Sequence, residues 1–144
     1  MAPGLKNALA VIAGLVVGSA VNMGLIMLGS ALIPAPPGVD VTNAESLKAS
    51  MHLFEARHFV TPFVAHAGGT LVGALVAFLL AVGNRSFPAW VIGGLFFAGG
   101  IYASRMFPAP VGFVAADLLL AYLPMAWIGS RLGQALTANK HPVV

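Results

Sequence analysis

Four stretches of this chain are long enough to cross a lipid bilayer and nearly free of charge: about Ala8 to Ile33, Phe59 to Val82, Ala89 to Met106 and Val111 to Ile128. Together they contain one arginine, Arg105, and one aspartate, Asp117. A hydrocarbon core about 30 Å thick takes about 20 helical residues to cross. In lipid every backbone N–H and C=O must bond within the protein, which leaves helices as the solution at this span length. Composition agrees, since 8% of the 144 residues are charged where a soluble domain carries about 25%. The expected fold is all-α, an integral membrane four-helix bundle over residues 1–144, forming one domain.

Turn chemistry separates the stretches: "PAPPGVD" after the first, "GNRSFP" after the second, "FPAP" after the third. The last two connections are short, so their flanking helices should be antiparallel neighbours. The first stretch is about twice as long as a signal-peptide core and has only Lys6 ahead of it, so it reads as a retained helix. Lys6, Arg85, Arg131 and Lys140 fall on one side of the spans with no acid beside them. Lys48, Arg57 and Arg105 fall on the other with Asp40, Glu45 and Glu55. The positive-inside rule then puts both termini in the cytoplasm.

The long first loop carries its own pattern. Thr42 and Glu45 are spaced as a capping box, and Leu47, Met51 and Phe54 form one apolar stripe. A short amphipathic helix over about 43–57 is expected in this outer loop. The halves of the chain also echo each other, Val11-Ile12-Ala13-Gly14-Leu15 against Val91-Ile92-Gly93-Gly94-Leu95. Either an ancient duplication or the cheapness of apolar matches produces such an echo. Gly14 with Gly18, and Gly69 with Gly73, match the close-approach spacing of membrane helices. They serve either packing within the chain or a face for another subunit.

Three of the four histidines crowd into "HLFEARHF…VAH". On one helix His52, Glu55 and His58 would spread over about 9 Å of rise, so neighbouring pairs could share an ion but all three would strain to, and they read as the polar end of an interfacial helix. No cysteine exists to complete a metal set. His66 differs, lying about 12 Å beyond His58 along a helix. Asn22, Tyr102, Arg105 and Asp117 are the other polar groups of the outer half, with Arg105–Asp117 the expected ion pair and Tyr122 and Thr61 as secondary members. Pro62 and Pro124 are expected to bend their spans. A buried set of this kind is either a functional site or a clasp that fixes helix register.

No phosphate-binding loop, Ser/His/Asp pattern or paired intramembrane carboxylates is visible, so no catalytic residue, metal or cofactor is assigned. The small net charge of +3, without a basic run, gives no support for nucleic-acid binding. "VIAGLVVGSAVNMGLIMLG", "GVDVTNAESLKASMHLFEARHF" and "PFVAHAGGTLVGALVA" resemble a family of small four-span bacterial inner-membrane proteins without an assigned activity. That resemblance implies an inner-membrane location and transfers no site residue. The functional expectation is a non-enzymatic accessory or scaffold subunit, packing through its glycine faces against itself or a larger membrane complex. The alternative is a small oligomeric transporter or proton-conducting protein lined by Asn22, His66, Arg105 and Asp117.

Overall fold

Pro3 opens the first helix, at a position where its missing N–H leaves no bond unmade, and α1 runs from Pro3 to Leu32. The computed structural model describes residues 1–138. After α1 come a short α2 (Ala44–Ser50), 3₁₀ turns at Met51–Leu53 and Ala56–Phe59, and then α3 (Val60–Leu80), α4 (Ser86–Met106), α5 (Val111–Leu120) and α6 (Leu123–Ala138). Among the described residues there is no strand. Four helical segments, Pro3–Leu32, Ala56–Leu80, Ser86–Met106 and Val111–Ala138, are long and apolar enough to cross a membrane. They stand close to the four expected stretches. Their outward side chains are apolar, as at Val16, Met27 and Leu119, each more than 60% exposed. Water would penalise such a surface and lipid would not.

α3 is the central helix, packed against α1, α4 and α6. Its seam with α1 is built on glycine. A Cβ on Gly14 would come within 2.6 Å of the Gly73 carbonyl oxygen, and one on Gly18 within 2.7 Å of that of Gly69. The expected Gly-x3-Gly pairs therefore meet each other, antiparallel, backbone against backbone. Gly94, the counterpart of Gly14 in the sequence echo, faces open space, and its neighbour Gly93 packs on Ala126 instead. The echo is not followed by the packing at this position. Where α3 ends, Asn7 closes the seam: its Nδ2 donates to the Val82 carbonyl (3.2 Å) and its Oδ1 accepts from the Val82 N–H (2.9 Å). Both partners are backbone groups just past the helix end.

The core lies at this same end. Ala74, Ala77, Phe78, Ala89, Ile92 and Ala126 form one buried cluster, with Val11, Leu15 and Phe96 packed on it.

The bend expected at Pro124 is present, and three other expectations need correction. The fourth span is broken at Ala121–Tyr122, as Pro124 requires, because a proline cannot donate to the carbonyl four residues back and its ring crowds it. It also continues to Ala138 rather than stopping near Ile128, since helix formation outlasts the apolar run. Pro62 bends nothing within α3; it sits in the first turn, where a proline is tolerated. The loop helix is shorter than 43–57. Its N-cap is Asn43, whose side chain accepts from the Glu45 and Ser46 N–H groups at 3.0 Å. Thr42 is held instead by Asp40, which accepts from its N–H (2.9 Å) and its hydroxyl (2.6 Å). Those bonds hold the Asp40 carboxyl below its ordinary range, the Thr42 hydroxyl contributing most. Lys140 lies outside the described residues.

Candidate functional site

Three helical elements bring His66, Asp117 and Tyr122 together. His66 sits on α3 and Asp117 on α5, each six residues, about 9 Å, below its helix start. Tyr122 occupies the break between α5 and α6. His66 Nδ1 stands 2.8 Å from Asp117 Oδ1 and 3.0 Å from the Tyr122 hydroxyl. That hydroxyl donates to Asp117 Oδ2 at 2.6 Å. Asp117 is 4% exposed and Tyr122 2%. At such depth an unpaired carboxylate would be costly, and two hydrogen-bond donors satisfy it.

The surroundings explain how Tyr122 reaches the pair. Its ring lies against His66 (centroids 5.8 Å apart, 28° between planes) and meets Phe97 edge-on at 6.1 Å. Gly100 on α4 makes room, since a Cβ there would fall 2.6 Å from the Tyr122 hydroxyl. One turn below His66, the Thr70 hydroxyl donates to the His66 backbone carbonyl at 2.8 Å.

The expected set divides. His66 and Asp117 meet, with Tyr122 promoted from a secondary member to a full one. Asn22 lies beside them, lining a small cavity of about 150 Å³ with His66, Phe96, Gly99 and Tyr122. Its Oδ1 is buried and has no hydrogen-bond partner. Arg105 and Tyr102 do not join: both are exposed on the outside of α4, Tyr102 at 67%. Asp117 pairs with His66, not with Arg105. Arg105 instead ends α4, where a cation suits the helix C-terminus and a long stem can reach water. Thr61 packs closely on Gly29 of α1 and makes no hydrogen bond to the triad.

Above the triad lies a half-enclosed cavity of about 270 Å³. The loop stripe forms its cover, with Leu47, Met51 and Phe54 all facing in. Phe107 and Phe113 line its sides, and His66 and Asp117 form its polar end. Phe59 and Phe113, with ring centroids 4.9 Å apart, separate it from an open apolar groove lined by Val60, Phe63, Pro110 and Ala116. Both rings border both spaces.

The other members of the histidine cluster have local roles. His52 Nδ1 donates to the Ala49 carbonyl at 3.0 Å. Glu55 and His58 cap one 3₁₀ turn reciprocally, the Glu55 N–H donating to His58 Nδ1 at 2.9 Å. Arg57 pairs with Glu55 at 3.1 Å in an exposed contact of small energetic weight.

Below the triad the character changes. The Ala–Phe78–Ile92 cluster is apolar throughout, and the next polar tier is Ser86, Ser130 and Gln134. Sequence reading missed that tier and the Asn7 clamp. The signal for the clamp was present only as a polar residue near a span end.

Comparison with protein-family models, with curated proteins and with solved structures found no match to this chain.

Proposed function

We propose that this chain is an integral membrane protein that holds one amphiphilic molecule in the cavity beneath the 47–59 segment. The apolar body of the ligand lies among Met51, Phe54, Phe59 and Phe113, and its polar head rests against His66 and Asp117. One observation carries the reading: an apolar cavity of about 270 Å³ ends on the buried Asp117 carboxylate and the His66 imidazole, with the Tyr122 phenol bonded behind them. Pockets that are mostly apolar with a few convergent polar groups are the common form of small-molecule sites. The Phe59–Phe113 wall supports lateral exchange with the bilayer, since it separates the cavity from an outward groove.

In a bacterial inner membrane with both termini cytoplasmic, this site would open toward the outer leaflet. Lys6, Arg85 and Arg131 then lie at the cytoplasmic end and support that orientation. The accessory-subunit reading is supported less. Gly14, Gly18, Gly69 and Gly73 are already engaged with one another, so a partner would need other faces. A proton path through one chain would have to cross the apolar tier of Phe78, Ile92 and Ala126.

Purification from membranes in a mild detergent, followed by native mass spectrometry and lipid extraction, tests the proposal. Wild type is expected to carry one amphiphile per chain that Ala103→Phe, which fills the cavity, loses. Equal lipid retention by the two proteins, or none by either, contradicts it.

A further inference from the structure

The hydrogen positions in the triad restrict the head group. The Tyr122 phenol has one hydrogen, and it goes to Asp117 Oδ2 at 2.6 Å. The 3.0 Å contact from the phenol oxygen to His66 Nδ1 therefore takes that oxygen as acceptor, and Nδ1 carries a hydrogen shared with Asp117 Oδ1 at 2.8 Å. A neutral imidazole with its hydrogen on Nδ1 presents a bare acceptor at Nε2. Every donor of the triad is thus engaged inside it, and the remaining capacity is acceptor: His66 Nε2 and the second lone pairs of the Asp117 oxygens. The Asn22 Oδ1 in the adjoining cavity is buried and unpartnered, and the same amide carries two hydrogens on Nδ2, so the restriction on the head group rests on the triad and not on Asn22. Among the described residues, no lysine or arginine lines either space.

We infer that the site selects an amphiphile whose head donates hydrogen bonds and carries no negative charge, a hydroxyl or amine head rather than a carboxylate, phosphate or ester. This deepens the ligand-binding reading and rests on it. A carboxylate or phosphate head would face Asp117 with no cation to offset the repulsion. Against His66 and Asp117 an ester carbonyl would meet acceptors only, and both partners would lose hydrogen bonds they had made to water. A hydroxyl hydrogen is accepted by His66 Nε2 or Asp117, and an ammonium adds attraction to the carboxylate.

Four fourteen-carbon probes that differ only in the head test this: tetradecanol, tetradecylamine, myristate and methyl myristate. Each is titrated at pH 8 into the delipidated full chain in detergent and followed by native mass spectrometry. The alcohol and amine are expected to bind one per chain, about tenfold or more tighter than the ester and the acid. In Asp117→Asn the side-chain amide supplies donors, so the alcohol–ester gap should close to about threefold or less. Wild-type protein that binds the ester or myristate as tightly as the alcohol overturns the inference and leaves the ligand-binding reading standing. Protein that binds none of the four, and no extracted membrane lipid, overturns both. The wild-type series decides the matter even if Asp117→Asn does not fold.

Discussion

The two ends of the helical assembly are built on opposite rules. At the end of Asn7 and Phe78, α1 and α3 touch backbone to backbone through Gly14, Gly18, Gly69 and Gly73, and alanines fill the remainder. At the end of α2, α1 and α3 stay close through Gly29 and Thr61, but polar groups enter beside α5 and a cavity remains under a loop. Small residues give van der Waals contact along the first seam, the main attraction available between helices in lipid. On its α4–α5 side the second end instead holds a carboxylate, an imidazole and a phenol beside open space. The difference teaches where stability and function separate: a closely packed end sets the helix positions, and the looser end is free to bind.

The largest effect should come from the packed end. Gly73→Leu places side-chain atoms against the Gly14 carbonyl, 2.7 Å from the first added carbon, and should cost about 3 kcal/mol, read as loss of thermal stability in detergent. If Gly73→Leu is tolerated without loss, the two ends are not distinct. Gly100→Ala should follow at about 1–2 kcal/mol, because Tyr122 must move from its bond to Asp117. It should also weaken probe binding, whereas Gly73→Leu in the surviving folded fraction should not. Tyr122→Phe removes one donor from a buried carboxylate, and membrane hydrogen bonds of this sort are worth about 0.6–1.7 kcal/mol. Asn7→Ala should cost about 1 kcal/mol and speed hydrogen exchange at the Val82 amide.

The smallest effect concerns the loop. Asp40 is held below its ordinary value of 3.8 by Thr42. A carboxyl with a lowered folded value stabilises above its unfolded value and loses that contribution as pH falls through the folded one. Loop order should therefore persist at pH 5 and decline only below about 4. Thr42→Val should bring the Asp40 titration, followed by NMR, back toward 3.8.

The four spans were readable because hydropathy and length are properties of single segments. His66 and Asp117 were readable as deep ionisable groups for the same reason. Depth along a helix follows from rise per residue, but the direction a side chain faces around the axis depends on packing. Arg105 and Asp117 had compatible depths, yet Arg105 faces outward and Asp117 inward. Tyr122 became central only through the break at Pro124, which turns its ring toward α3. Thr42 and Asn43 are both good caps, and the choice went to Asn43 because Asp40 engages Thr42. The cavity depends on the 47–59 segment, α3, α4 and α5 at once, so no local pattern announced it, although its cover is the Leu47–Met51–Phe54 stripe.

A structure of the protein determined directly from native membranes tests the central claim most directly. The account predicts elongated density beneath Met51 and Phe54, ending about 3 Å from His66 or Asp117 with the triad intact. A cavity filled by the protein's own side chains, with His66 and Asp117 apart, would contradict it.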